Sequence, residues 1–90
     1  MVARILTIVG HSMEPTIRNK QRVVLLNYPF LKYKVGHIVA FRYKGKIFVK
    51  RIVNIENGLF VLAGDNVSST YDSQHFGPLS KNTFIGRVFV

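Results

Sequence analysis

The chain has no cysteine and no tryptophan, and only four of its 90 residues are acidic. Without cysteine, neither a disulfide framework nor a thiolate metal site can form. No apolar run approaches the roughly 18–20 residues needed to cross a bilayer, so the sequence predicts no membrane-spanning segment. The apolar residues 1–9 are too few for a signal peptide and include Arg4. We therefore expect a cytoplasmic protein, and leave open a peripheral contact with a membrane surface.

Acidic residues are scarce relative to the 13 basic ones, and the formal net charge is +9. Such an excess is typical of proteins that bind nucleic acids or anionic membranes. Here the basic residues are scattered in small clusters at residues 18–22, 32–34 and 42–46. Solvated loops and strand faces explain this spacing, so no nucleic-acid partner is expected. The length predicts a single domain, residues 1–90, with a small core.

Short runs of β-branched and aromatic residues alternate with turn residues along the whole chain. This pattern predicts an all-β fold with little helix, built as coiled antiparallel sheets or a small barrel. Asn57-Gly58, between two apolar runs, is the strongest hairpin signal. The polar loop over residues 64–77 is long for so small a domain, and such loops are often functional. The predicted strands cover residues 4–9, 22–26, 37–43, 47–55, 59–63 and 83–90.

Ser12 lies in a short turn bounded by Gly10 and Pro15. A serine in this setting commonly caps a helix or a turn. The same geometry can expose the hydroxyl and direct nearby backbone N–H groups toward one point as an oxyanion hole. Gly10 would let the backbone approach a bound peptide closely. A serine hydroxyl is an effective nucleophile only when a base takes its proton.

Lys50 lies in an apolar strand and is the candidate for that base. Alternation along a strand places Phe48 and Ile52 on the same face as Lys50. Poor solvation between these side chains would disfavour the ammonium and lower the lysine pKa toward neutrality. The alternative is that Lys50 extends from a strand edge into water. Arg51, on the opposite face, stays charged and should meet solvent or a carboxylate.

The polar loop, which begins with Gly64-Asp65-Asn66, supplies polar groups that could hold such a pair in place. Thr70 or Ser73 could hydrogen-bond the neutral amine of the lysine, and Asp72 could anchor the loop. The alternative is that residues 64–77 form an ordinary surface loop, rich in turn residues, without a role at the site.

The three histidines, His11, His37 and His75, lie in separate segments without the spacing of metal ligands. We therefore predict neither a metal nor a cofactor. His11 and His75 could still meet near Ser12 in the folded chain, so a Ser–His pairing remains an alternative to the Ser–Lys pair.

Six segments, in the same order along the chain, resemble the sequence boxes of the type I signal peptidases, the S26 family. Each segment alone is a modest match, and the ordered set covers nearly the whole chain. The segments are GHSMEPTI at residues 10–17, GHIVAF at 36–41, FVKRIV at 48–53, GDN at 64–66, DSQHFGP at 72–78 and IGRV at 85–88.

The resemblance implies a serine protease with a Ser/Lys dyad that removes a leader from a precursor protein. Ser12 falls on the family's nucleophile and Lys50 on its general base, and the resemblance implies that the backbone N–H of Ser12 contributes to the oxyanion hole. Thr70 falls where the family usually has a serine that orients the lysine, and Asp72 on the aspartate that braces the site. Gln74 stands where an arginine usually pairs with that aspartate, so this bridge is expected to be missing or remade.

The chain shows neither the membrane anchor nor the large insertion of some signal peptidases. In this it resembles the maturation proteases of nickel-type superoxide dismutase, which would make that enzyme's precursor the substrate. Two alternatives remain. One is a self-cleaving domain like that of LexA-type repressors, which cut themselves at an Ala-Gly bond before the serine, whereas the only Ala-Gly bond here, Ala63-Gly64, lies far downstream of it. The other is a small basic β-barrel that binds single-stranded nucleic acid through Tyr28, Phe30, Tyr33, Phe41 and Tyr43.

Overall fold

A computed structural model describes residues 1–68 and 76–90. Six strands form one antiparallel sheet in the order β1-β2-β6-β3-β4-β5, which confirms the predicted all-β antiparallel fold. In the described residues, regular helical structure is limited to a 3-10 turn at Lys81–Thr83, and no helix there is long and apolar enough to span a membrane. The strands are β1 (Val2–Thr7), β2 (Arg22–Asn27), β3 (Ile38–Tyr43), β4 (Lys46–Glu56), β5 (Leu59–Ala63) and β6 (Phe84–Phe89).

The central strand β3 is buried on both faces. It lies between β4 and β6, and alternate side chains enter two separate apolar cores. Ile38 and Ala40 belong to the first core, whereas Val39 and Phe41 belong to the second. A strand buried on both faces reads as a continuous apolar run, which explains the sequence of β3. The first core comprises Ile8, Met13, Ile17, Val23, Leu25, Ile38, Ala40 and Val88, and the second comprises Val39, Phe41, Ile52, Phe60 and Leu62.

Aromatic side chains surround the second core. The ring of Phe41 stacks on Phe48 at 5.8 Å between centroids and meets the edge of Phe76 at 5.4 Å. Tyr33 contacts Phe84 at 4.9 Å in an edge-to-face arrangement. Such pairs stabilise a fold beyond the area they bury. These aromatic residues therefore hold the sheet together.

Two tight hairpins fix the path of β4. Lys44 and Gly45 have φ of 50° and 78°, and Asn57 and Gly58 have φ of 51° and 76°. Two consecutive left-handed residues are the type I′ geometry that suits two-residue hairpins. The hairpin predicted at Asn57-Gly58 is confirmed, and it joins β4 to β5.

The first half of β4 pairs on one side only among the described strands. β3 pairs with β4 from Lys46 to Arg51, whereas β5 pairs with β4 only from Arg51 to Glu56. A register shift in the β4–β5 ladder between Ile52 and Asn54 marks a bulge beyond this point. Residues 46–50 therefore present a backbone edge that no described strand covers. β1 is the edge strand at the other end of the sheet.

Candidate active site

Ser12 lies in an irregular turn between β1 and β2. The turn is anchored by Met13 and Ile17, which are 1% and 0% exposed and pack in the first core. The N–H of Ile17 donates to the carbonyl oxygen of Met13 at 2.9 Å, and the N–H of Ile8 donates to that of Gln21 at 2.8 Å. Ser12 itself is half-buried. The two buried side chains and the two backbone hydrogen bonds thus fix the position of the serine.

Lys50 is the one charged residue in the buried set of the described chain, at 3% exposure. It pairs opposite Val39, between Phe48 and Ile52 on the face of the second core. The structure therefore places the lysine among apolar side chains, as strand alternation predicts, and not in water. Val49, on the other face, packs against the first core.

Ser12 and Lys50 line the same cleft, which has a volume of about 290 Å³. One wall is the end of β1 with the residues that follow it, and the other is the first half of β4. Both walls are strand edges that no described strand covers. Uncovered strand edges can accept an extended peptide as an added strand. The residues lining the cleft are Leu6, Thr7, Ile8, Val9, Ser12, Met13, Ile47, Phe48, Val49 and Lys50.

Two backbone N–H groups of the turn differ in their hydrogen bonding. The N–H of Gly10, whose φ is 110°, donates to Oδ1 of Asn19 at 2.8 Å. Gly10 is also not among the residues that line the cleft. The N–H of Ser12, by contrast, has no acceptor among the residues that the structure describes. Of these two N–H groups, that of Gly10 is therefore already engaged within the turn.

The segment after β5 holds the Ser12 turn in place. The backbone N–H of Asn66 donates to the carbonyl oxygen of Ser12 at 2.9 Å, and its side-chain amide donates to that of His11 at 2.9 Å. Gly64 approaches so closely that a Cβ there would lie 2.5 Å from the carbonyl oxygen of Ser12. Only glycine fits this position without displacing the turn.

Asp65 joins the Ser12 turn to β4. Its carboxylate accepts two hydrogen bonds from Arg51, at 2.8 and 2.7 Å, and one from the hydroxyl of Thr16 at 2.6 Å. The hydrogen bonds from Arg51, and then that from Thr16, lower the pKa of Asp65, and the same contact with Asp65 raises the pKa of Arg51. Arg51 also donates to the carbonyl oxygen of Gly36 at 2.7 Å. Since Arg51 follows Lys50 in β4, this ion pair ties the lysine strand to the serine turn.

The sequence indicated that the segment containing Asp65 could help hold the Ser–Lys pair, but it did not identify Arg51 and Thr16 as the partners of Asp65. The prediction that Arg51 meets solvent or a carboxylate is confirmed, and the carboxylate is that of Asp65. The scarcity of acidic residues was the available signal, because few carboxylates could serve as the partner. The predicted Thr70, Asp72 and Ser73, together with Gln74 and His75, lie outside the described residues.

The histidines of the described chain lie away from the cleft lining. His11 is largely exposed, and its Nδ1 lies 2.9 Å from a carboxylate oxygen of Glu14. That hydrogen bond lowers the pKa of Glu14. His37 lies beyond the turn that precedes β3, where burial and then the charges of Arg87 and Lys34 lower its pKa. Within residues 1–68 and 76–90, no three His, Asp or Glu residues lie close enough to hold a metal ion.

Comparison with known proteins agrees with the protease interpretation. A family model described as Peptidase S24-like matches residues 3–89. The chain belongs to the Peptidase S24-like family. Membership supports an enzyme of serine protease type, while the finer resemblance to signal peptidases and to superoxide dismutase maturation proteases goes beyond this match. No curated protein matches the chain.

Proposed function

We propose that the chain is a serine endopeptidase with Ser12 as nucleophile and Lys50 as general base. The observation that carries the proposal is the shared cleft: a lysine at 3% exposure and a serine on an anchored turn both line it. Burial penalises an ammonium and favours the neutral amine that a general base requires. Membership of the Peptidase S24-like family supports the same chemistry.

The proposed reaction has two stages. In the first, Ser12 Oγ attacks the scissile carbonyl carbon while its proton passes to Lys50 Nζ. The N–H of Ser12 stabilises the oxyanion, the C–N bond breaks, and Lys50 returns the proton to the leaving amine. In the second, Lys50 takes a proton from a water molecule, which attacks the acyl carbon. The bond between that carbon and Ser12 Oγ then breaks, and Lys50 returns the proton to Ser12 Oγ. Thr70 and Ser73 are proposed to orient the amine, and Asp72 to brace the loop.

The proposed substrate is an extended segment of a precursor protein. No described strand covers either wall of the cleft, and an extended peptide can form backbone hydrogen bonds with such strand edges. The resemblance to signal peptidases supports the removal of an N-terminal leader, and the further resemblance to the maturation proteases of nickel-type superoxide dismutase makes that enzyme's precursor the finer candidate. We propose this cleavage in the cytoplasm.

Substitution of the two proposed catalytic residues tests this function. Ser12→Ala and Lys50→Met should each lower the rate of precursor cleavage by about 10³-fold or more, since removing either member of such a pair removes the activated nucleophile. Lys32→Met, at an exposed lysine away from the cleft, is the matched control and should retain the wild-type rate. Circular dichroism should show that all three variants are folded. Cleavage retained by a folded Ser12→Ala or Lys50→Met variant would reject the dyad.

Self-cleavage is a second candidate, because the only Ala-Gly bond lies beside the serine. Gly64 packs against the carbonyl of Ser12, and Ala63 is the last residue of β5, paired with Arg51. Cleavage there would separate β5 from the segment that holds the Ser12 turn. Mass spectrometry of the purified chain at mildly alkaline pH distinguishes the two activities. An intact chain that still cleaves a precursor supports action on a separate substrate.

The nucleic-acid alternative receives little support from the aromatic residues proposed for it. Phe41 is 0% exposed, and Tyr33 and Tyr43 pack against Phe84 and Phe76. A stacking platform for bases requires exposed ring faces. Only Tyr28 and Phe30, at 43% and 96% exposure, meet that requirement among the five. Titration of an oligonucleotide at several salt concentrations would test the remaining electrostatic attraction.

A further inference from the structure

The hairpin between β3 and β4 carries three exposed cations, Arg42, Lys44 and Lys46, and we call it the cationic hairpin. None of the three forms an ion pair with a described residue. Lys44 Nζ lies 5.4 Å from the ring centroid of Tyr43, which leaves its charge near the surface. Among the residues that the structure describes, no ion pair therefore offsets the positive charge of the cationic hairpin.

The described acidic residues are engaged elsewhere. Asp65 pairs with Arg51, and Glu14 pairs with His11. Glu56 accepts a hydrogen bond from Asn54 at the opposite end of β4. The described part of the chain thus offers the cationic hairpin no carboxylate of its own. Charge complementarity favours an acidic ligand at this place.

The cationic hairpin lies directly at one end of the cleft. Lys46 is the first residue of β4, and the next four residues, 47–50, all line the cleft. Lys46 and Lys50 are four residues apart in a strand, so they lie on the same face. With about 3.3 Å per residue, they are separated by about 13 Å.

The separation between Lys46 and Lys50 determines which residue of a bound substrate lies opposite Lys46, if the substrate pairs with the edge of residues 46–50. An extended peptide paired with that edge advances one residue for each residue of β4. A substrate residue opposite Lys46 is therefore four residues from the one opposite Lys50. Directly opposite side chains have Cβ atoms about 4.5–5.5 Å apart, within reach of an ion pair. An aspartate or glutamate at that position would lie beside Lys46.

We propose that the cationic hairpin selects substrates with an acidic residue three to five residues from the cleaved bond. This inference rests on the proposed protease function and adds a specificity determinant to it. Lys46 is the main specificity residue, because it is in register with the uncovered edge. Arg42 and Lys44 add to the local positive potential.

Cleavage-site profiling with a proteome-derived peptide library tests the proposal. The library is digested separately by the wild-type chain and by Ser12→Ala, and the Ser12-dependent cuts are read by mass spectrometry. Aspartate and glutamate should be enriched about two- to five-fold three to five residues from the cut, on one side of it, as expected for exposed ion pairs. The enrichment should fall as salt is raised, because salt screens exposed charges.

A charge reversal gives the sharper comparison. Lys46→Glu should abolish the acidic enrichment and replace it with lysine and arginine at the same positions. Lys32→Glu, which makes the same charge change at an exposed site away from the cleft, should leave the acidic enrichment as in the wild-type chain. Ser12-dependent cuts without acidic enrichment, or enrichment unchanged in Lys46→Glu, would overturn the proposal and leave the protease function standing. A library without any Ser12-dependent cut would count against both.

Discussion

At the scale of single residues, the site depends on contacts that hold one turn. Gly64 leaves room for the carbonyl of Ser12, and Asn66 donates to that carbonyl. Asp65 connects Thr16 to Arg51, next to Lys50. The three residues of the Gly-Asp-Asn segment therefore all help to position the serine relative to the strand that carries Lys50.

Gly64→Ala tests the close approach at the Ser12 turn. The added Cβ would lie 2.5 Å from the carbonyl oxygen of Ser12, so the turn must shift. We expect a loss of about 1–3 kcal/mol in the free energy of unfolding, as for other overpacked sites. Cleavage should fall by more than the folded fraction does.

Gly58→Ala is the matched control for that substitution. Gly58 has φ of 76°, and a Cβ added there would have no neighbour within 4 Å, so alanine meets backbone strain and no clash. A loss of about 1 kcal/mol is expected, with cleavage by the folded protein unchanged. Equal activity in Gly64→Ala and Gly58→Ala would show that the contact with Ser12 has no role in positioning it.

Asp65→Asn tests the ion pair through its dependence on pH. The pKa of Asp65 is lowered from 3.8 in the folded chain, chiefly by the hydrogen bonds from Arg51. A lowered folded pKa contributes stability above the unfolded pKa, and this stability is lost as pH falls through the folded pKa. At pH 7 we expect Asp65→Asn to lower the free energy of unfolding by about 1.5–3 kcal/mol. The difference from wild type should shrink below about pH 4.

Urea unfolding at pH 7, 5 and 3 measures this difference. Glu56→Gln is the control, because it removes an exposed carboxylate and should change the free energy of unfolding by less than about 0.5 kcal/mol. A constant difference between Asp65→Asn and wild type across the three pH values would contradict the assigned ion pair.

At the scale of elements, the two halves of β4 differ in their pairing and in their roles. Residues 46–50 pair with β3 and leave one edge uncovered along the cleft, whereas Arg51 to Glu56 also pair with β5. The change occurs at Arg51, the residue bound to Asp65. The same strand thus presents the edge proposed to bind the substrate and anchors the segment that holds the serine.

The hairpin at Asn57-Gly58 sets the register of β4 against β5, and Asn57→Val tests it. Asn57 has φ of 51°, a conformation that a β-branched residue adopts with strain. Valine should lower the free energy of unfolding by about 1–2 kcal/mol, and Asn57→Gly should lie within about 0.5 kcal/mol of wild type. Thermal unfolding measures both. Valine tolerated as well as glycine would contradict the left-handed turn.

Strand positions were largely predictable from the sequence, because β-branched runs and turn residues carry local information. β5 matches its prediction at residues 59–63, and β4 extends one residue further at each end. β1 ends at Thr7 and not at residue 9, because Ile8 instead bonds to Gln21 and Lys20 in the turn that carries Ser12. The uncovered edge of β4 could not be predicted, since it depends on where β5 stops pairing.

The candidate site was predictable only in part, because local sequence patterns reveal some of its residues but not the contacts between distant segments. Ser12 and Lys50 were singled out by local signals, a bounded turn and a charge within an apolar strand. Asp65 was not, because its role arises from Thr16 and Arg51, which are distant in the sequence. Long-range hydrogen bonds of this kind leave little trace in a single sequence.

At the scale of the whole molecule, two cores on opposite faces of one sheet hold the Ser12 turn and the strand that carries Lys50. The first core anchors the Ser12 turn through Met13 and Ile17. The second core encloses the face of β4 that carries Lys50. Ser12 and Lys50, the proposed nucleophile and base, line one cleft, and β3 contributes to both cores that hold them. The family match over residues 3–89 fits a fold in which nearly every strand supports the site.

Acylation of the serine by an activated ester tests the central claim most directly. The chain is mixed with a p-nitrophenyl ester, quenched in acid, digested and mapped by mass spectrometry. The account predicts that an acyl group forms on Ser12 and that the rate of acylation increases as pH rises. In Lys50→Met, the rate should fall to the background level. An unmodified Ser12, or an equal rate of acylation in Lys50→Met, would contradict it.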